Sequence, residues 1–338
     1  MKACIFGCES YVLTDRERAF FRETDPLGFI LFERNCCDPD QLRRLTVSLR
    51  ESVGREALIL IDEEGGRVQR MKTPKWRDSP APGVFGDLFE RDPTGALELA
   101  SINARLIAED LYDVGIDVNC APCLDLREPY GHRVIGNRSF SSDPDTVVKL
   151  GRIWIDGLRA GGVIPVIKHL PGHGRAREDS HYDLPMVEAS LEELDARDFV
   201  PFTMCRDNPI GMTGHILFTA LDNEEPVTLS RTMVSDVVRG WIGFDGLLLT
   251  DDLSMKALAG NIGARAAGAI TAGCDIALHC NGRSDEMNEV ARAVPELVGK
   301  SLRRADRAVA IGVELKSSRE LLNRAYAQTI LSQKLKAF

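Results

Sequence analysis

Gly162-Val163-Ile164-Pro165-Val166-Ile167-Lys168-His169-Leu170-Pro171-Gly172-His173-Gly174 runs from an unbroken apolar segment straight into a cluster of ionisable residues and glycines. An apolar run without alternation reads as a strand buried on both faces, the kind found in parallel sheets covered by helices. The polar cluster then falls where the strand ends, and parallel α/β folds keep their active sites in the loops beyond strand ends.

Working outward, comparable runs occur at residues 4–7, 28–32, 58–61, 116–120, 210–214, 246–249 and 275–278, with helical patterns between them. Asp143-Pro144 opens an amphipathic stretch through Leu150, Ile153, Trp154 and Leu158 that stops at Gly161-Gly162, and Ser190-Leu191-Glu192-Glu193 is a capping box. Eight strands alternating with helices over roughly 280 residues predict a single (β/α)8 TIM-type barrel rather than a doubly wound sheet. Residues 1–338 are read as one catalytic barrel domain, with 315–338 as a helical tail packed on it through Leu321, Leu322, Ala325 and Tyr326.

Composition narrows the function. A hydrophobic fraction of 44% over 338 residues suits a soluble globular enzyme. A formal net charge of -9 argues against nucleic acid or an anionic membrane as partner, since phosphate binding needs clustered positive charge. The N-terminus lacks the pattern of a secretory signal, and no apolar run reaches membrane-spanning length. Nine cysteines, an odd number without regular spacing, suit a reducing compartment. The expectation is a cytoplasmic monomer or weak homodimer acting on a small molecule.

Polar residues gather where the predicted strands end. Asp62 follows 58–61, Lys168-His169 close the fifth run, His215 follows 210–214, and Thr250-Asp251-Asp252 follow 246–249. Asp251 is the nucleophile candidate, because a carboxylate on the tip of a rigid strand is held for attack. Asp252 is its rival, since neighbouring side chains on a strand face opposite ways and spacing alone does not say which faces the mouth; the pair could equally cap the next helix. Asp179 and His181 are two apart and can form a carboxylate–imidazole pair suited to general acid and base work.

A metal-dependent barrel hydrolase is the competing reading, with His169, His173, His181, His215, Asp62 and Asp251 as ligand types. Leu-Pro-Gly between His169 and His173 forbids the helix that would put that pair on one face, and Cys120-Ala-Pro-Cys123 has no second pair to complete a zinc ribbon. A non-catalytic sugar-binding barrel is the other alternative.

Four motifs in order, Asp62-Glu63-Glu64-Gly65-Gly66-Arg67-Val68-Gln69-Arg70, Gly136-Asn137-Arg138-Ser139-Phe140, Lys168 to Gly174 with Asp179-Ser180-His181, and Thr250-Asp251-Asp252-Leu253-Ser254-Met255, resemble the bacterial β-N-acetylhexosaminidases of glycoside hydrolase family 3. The resemblance implies a retaining hydrolase that removes terminal, non-reducing β-N-acetylglucosamine. Its implied substrate is N-acetylglucosaminyl-1,6-anhydro-N-acetylmuramic acid, bare or carrying peptide, in cell-wall recycling. It also implies Asp251 as nucleophile, His181 as acid/base with Asp179 as its partner, and Asp62, Arg70, Arg138, Lys168 and His169 as sugar-holding residues, with no metal or cofactor. A histidine in place of a carboxylic acid leaves phosphate open as an acceptor beside water. The chain departs from the family in having Asp62-Glu63-Glu64 where Asp-His-Glu or Asp-Gln-Glu is common, and His169-Leu170-Pro171 where His-Phe-Pro is common. The second domain of longer members has no counterpart here.

Overall fold

The computed structural model describes residues 1–131, 134–176 and 184–337. Eight strands, β1 (Lys2–Gly7), β2 (Pro26–Leu31), β3 (Leu58–Ile61), β4 (Val118–Asn119), β5 (Ile164–Leu170), β6 (Ile210–Thr213), β7 (Leu247–Asp252) and β8 (Ile276–His279), form a closed barrel in sequence order. Every neighbouring pair is parallel, and β1 closes the ring against β8 through Cys4↔Ala277 and Ile5↔Leu278. This is the expected TIM-type (β/α)8 fold. All seven residues of β5 are buried, as its unbroken apolar run requires.

Helices α1 (Asp15–Thr24), α2 (Pro39–Val53), α3 (Pro82–Phe89), α4 (Pro93–Asp113) and α5 (Pro144–Ala160) cover the first half of the barrel, and α6 (Ile262–Ala272), α7 (Ser284–Ala293) and α8 (Gly299–Ser317) the last part. The helix read from Asp143-Pro144 is α5, where the Asp143 carboxylate accepts from Thr146 N at 2.9 Å and Pro144 takes a first-turn position that needs no donor. The Ser190 capping box is also present, with Glu193 N donating to Ser190 Oγ at 3.2 Å. Its helix does not run on regularly. It widens into π turns over Leu194–Asp198 before Val200–Met204, where Pro201 has no N–H to continue the ladder.

The tail differs in register from the expectation. Helix α8 extends to Ser317, and a separate helix α9 (Arg324–Lys336) starts where Asn323 accepts from Tyr326 N at 3.1 Å. With the start fixed there, Ala327 and Leu331, four apart, are the buried residues of α9. Leu321 and Tyr326 are exposed instead. Among the described residues no helix is long and apolar enough to cross a membrane.

Two irregularities prepare the mouth of the barrel. The pairing of β5 with β6 slips between Lys168 and Leu170, and that of β7 with β8 slips between Leu249 and Asp252. Such bulges re-aim side chains at barrel rims, and these two lie at the tips carrying His169 and Asp251. A tight contact sets a third element: a Cβ on Gly86 of α3 would lie 1.6 Å from the Phe140 carbonyl oxygen, so only glycine lets α3 press against the segment that carries Arg138.

Candidate active site

At the C-terminal ends of the strands lies a cavity of about 390 Å³ whose polar wall includes Asp62, Arg70, Arg138, Lys168, His169 and Asp251, with Arg67, His173 and Asp252 beside them and Phe32, Met212 and Leu278 among its apolar residues. Asp62 follows β3, and the chain beyond it makes a small antiparallel hairpin, Glu63–Gly65 with Val68–Gln69, that returns Arg70 to the same place. Arg70 Nη2 lies 3.1 Å from Asp62 Oδ2, and its guanidinium covers the Phe32 ring at 5.3 Å.

Lys168 is 2% exposed, and an ammonium so deep is tolerated only if it is paired. Its Nζ sits 2.7 Å from Asp62 Oδ1 and 2.7 Å from Glu64 Oε1. Arg138 grips Glu64 with both arms of its fork, Nε to Oε2 and Nη2 to Oε1, each at 2.8 Å. Burial works to raise the Glu64 carboxyl, but Arg138 and Lys168 outweigh it and hold the pKa at about 2. Asp62 is likewise held below the carboxylate range against its burial by Lys168 and Arg70, and Lys168 stays protonated against its burial because of the two carboxylates. The outcome is a fixed lattice of two carboxylates and three cations, all ionised at neutral pH, with hydrogen-bonding edges presented to the cavity.

Beside this lattice His169 Nδ1 meets Asp125 Oδ2 at 2.6 Å, leaving Nε2 towards Arg138 Nη2 at 3.5 Å. Asp125 is fully buried and also accepts from His173 N at 2.7 Å, so one carboxylate orients the imidazole and pins the chain after β5. The ligand-type atoms of Cys123, Asp125 and His169 converge within 4.8 Å of one another. Their contacts are those of a hydrogen-bond cluster: the Cys123 thiol donates to Asp125 at 3.2 Å, and burial pushes its pKa well above the usual thiol value, so it keeps its proton. Asp62, one of the two carboxylates named as metal-ligand types, is already neutralised by Lys168 and Arg70.

The structure separates the two aspartates of β7. Asp252 spends its carboxylate on the following turn and on the end of β8, accepting from Ser254 N at 3.0 Å, Ser254 Oγ at 2.6 Å and Cys280 N at 3.1 Å. Asp251 Oδ1 accepts only the N–H of Asp252, at 2.7 Å, and Oδ2 has no hydrogen-bond partner among the described residues. His215 lies behind them, bonded to Thr228 Oγ1 at 2.7 Å through Nδ1 and to the Asp252 carbonyl at 3.0 Å through Nε2. Burial lowers the pKa of His215, so its imidazole is neutral near pH 7 and acts as a clamp on the Asp252 peptide. Burial would raise Asp251, but His169, His215, the Asp252 N–H and Lys168 together hold it below its usual range.

Six of the eight residues expected to carry function, Asp62, Arg70, Arg138, Lys168, His169 and Asp251, therefore line one cavity. Asp179 and His181 lie outside the described residues. Two buried residues escaped the sequence reading. Glu64 had a signal, since it is two positions from Asp62 and on extended backbone shares its side. Asp125 had none, being 44 positions from the histidine it orients.

A closed parallel barrel with an ionised carboxylate at a strand tip, facing a cavity of hydrogen-bonding cations and carboxylates, is a TIM barrel with its active site at the C-terminal face. The chain belongs to glycosyl hydrolase family 3, whose N-terminal domain matches residues 15–310. A β-hexosaminidase of Alkalilimnicola ehrlichii is 39% identical over 296 residues, 86% of this chain and 84% of the relative. One from Tolumonas auensis is 40% identical over 285 residues, 82% and 81% of the two chains. Among solved structures, NagZ from Neisseria gonorrhoeae in complex with N-trifluoroacetyl-D-glucosamine superposes with a TM-score of 0.87 at 31% identity, covering 98% of this chain and 97% of that one. A family 3 β-N-acetylglucosaminidase from Paenibacillus gives 0.85 at 30% identity; the chain spans 66% of that longer protein.

Proposed function

We propose that the protein is a retaining β-N-acetylglucosaminidase acting on N-acetylglucosaminyl-1,6-anhydro-N-acetylmuramic acid, with or without peptide, in cytoplasmic cell-wall recycling. The observation that carries this reading is Asp251: an ionised carboxylate on a strand tip, with one oxygen unengaged by the described residues and its neighbour Asp252 committed elsewhere. The Neisseria relative, which holds an N-acylated glucosamine, supports the sugar.

In this mechanism Asp251 Oδ2 attacks the anomeric carbon as the C1–O bond to the leaving group breaks, and protonated His181 gives its proton to the departing oxygen. Neutral His181 then takes a proton from water as water attacks C1 and frees Asp251. Asp179 holds the His181 imidazole and raises its proton affinity. Asp62, Arg70, Arg138, Lys168 and His169 bond the sugar's hydroxyls and acetamido group.

The test is release of 4-nitrophenol from its β-N-acetylglucosaminide, with the anomer of the free sugar followed by NMR. Retention and free N-acetylglucosamine, with or without phosphate, are expected. Inversion would refute the mechanism, a sugar 1-phosphate would replace hydrolysis by phosphorolysis, and loss of turnover on chelation would favour a metal enzyme. His181→Ala should lower kcat/KM for the natural disaccharide by about 10²-fold or more, and far less for the 4-nitrophenyl glycoside, whose leaving group needs no proton. Equal losses on both would rule out the acid role.

Asp125→Asn would replace by an amide the carboxylate that meets both His169 Nδ1 and His173 N, and should cost about 1–3 kcal/mol, or roughly five- to 150-fold in kcat/KM. Unchanged kinetics would show that His169 does not depend on Asp125.

A further inference from the structure

Glu63 stands between Asp62 and Glu64 but faces the other way, as alternation along an extended backbone requires. It is 3% exposed and does not line the cavity. Its carboxyl reaches across the hairpin, where Oε2 accepts from the backbone N–H of Arg70 at 2.8 Å and of Met71 at 3.2 Å. Its own backbone is fastened to the tip of β4: Glu63 N donates to Asn119 Oδ1 at 3.0 Å, and Asn119 Nδ2 donates to the Glu63 carbonyl at 2.9 Å. The barrel wall thus holds Glu63, Glu63 holds the return strand, and the return strand presents Arg70 to Asp62.

The hairpin needs that brace. It turns through Gly65 and Gly66, both at positive φ (93° and 59°), and its ladder is only two residue pairs with a slip between them. A turn of two glycines gives little stiffness of its own. Gln69 adds a second tie, donating through Nε2 to Met71 O at 2.8 Å and Arg77 O at 2.7 Å, but to parts of the same excursion and not to the barrel.

We propose that Glu63 is a positioning residue for sugar recognition, fixing through two main-chain hydrogen bonds the place from which Arg70 meets the substrate. The inference rests on the functional reading above. Burial is the largest influence on this carboxyl and, against the two N–H donors, pushes it up to about 8, with Asp110 and Arg77 as the more distant charges facing it. The two N–H donors require only an acceptor oxygen, which a glutamine also carries.

The decisive measurement is a double-mutant cycle on the 4-nitrophenyl β-N-acetylglucosaminide at pH 7, with thermal unfolding of each variant as control. Glu63→Ala should raise KM roughly tenfold while lowering kcat less, and Glu63→Gln should stay within about twofold of wild type. If Glu63 acts through Arg70, adding Glu63→Ala to Arg70→Ala should change KM by less than about twofold. Independent losses that multiply, a folded Glu63→Ala with wild-type KM, or a glutamine as damaging as alanine would each overturn the proposal. Should alanine give too little folded protein, Glu63→Met keeps the volume, removes the acceptor and takes its place in the cycle. Failure of the functional reading looks different, because wild type itself would neither turn over the glycoside nor bind N-acetylglucosamine.

Discussion

Asp251→Ala is expected to lower kcat by at least about 10⁴-fold, with the protein still folded. The carboxylate is the one group on the cavity wall that combines ionisation, a rigid strand beneath it and an oxygen unengaged by the described residues. Its pKa lies below the usual range because its surroundings, the Asp252 N–H and Lys168 among them, outweigh burial, so it stays ionised as pH falls towards ordinary carboxylate values. Any loss of rate through protonation of Asp251 itself should therefore set in only below that range. Structural damage should be small, since without the Asp251 side chain Asp252 still holds His215 through its carbonyl and Ser254 and Cys280 through its carboxylate. Incubation with a 2-deoxy-2-fluoro sugar and mass spectrometry should place the covalent label on the peptide containing Asp251. A variant retaining a tenth of wild-type turnover, or a label on another peptide, would refute the assignment.

The second large effect falls on stability as well as on binding. Glu64→Ala removes the carboxylate that both arms of Arg138 and the Lys168 ammonium share, leaving a buried guanidinium unpaired. Breaking a buried ion pair from one side costs about 3–5 kcal/mol. The sign of the pH dependence follows from the depressed folded pKa of Glu64. The stabilisation is complete above the unfolded pKa of 4.5 and is lost as pH falls through about 2. Urea midpoints of wild type and variant should accordingly differ most at pH 7, and the gap should narrow only below about pH 4.5. A difference under about 1 kcal/mol at pH 7, or a gap that persists unchanged at pH 2.5, would show that Glu64 is not the keystone of the lattice. Because Arg138 loses its anchor, sugar affinity should weaken in parallel.

The strands were the most legible part of the chain. Runs such as 58–61, 163–167 and 246–249 are apolar without interruption because both of their faces are buried, and each lies within or beside a barrel strand. Helix starts at Asp143-Pro144 and Ser190 were readable because capping is local chemistry. The short hairpin after Asp62 was not. Its first strand is Glu-Glu-Gly, whose hydrogen bonds come from the return strand and Asn119 and leave no apolar pattern. The tail's buried face is hidden for a related reason: apolar residues at Leu321 and Tyr326 suggest one register, while the Asn323 cap imposes another.

Asp62, Lys168, His169 and Asp251 were found because a polar residue ending an apolar strand breaks a pattern that folding explains. That same local logic could not choose between Asp251 and Asp252, whose difference lies in Ser254 and the backbone of Cys280. Nor could it find Asp125, since nothing near position 125 refers to His169.

Strand order, barrel class and the positions at which chemistry gathers are properties of periodicity and end signals, and those are written along the chain. Partnership is not: Glu64, Arg138 and Lys168 come from three separate segments, and their ionisation depends on separations of 2.7–2.8 Å that exist only once the barrel is closed. Burial patterns fix which side chains turn inward, while charge–charge energy in a dry interior varies steeply with distance and exclusion of water, and only the folded arrangement sets both.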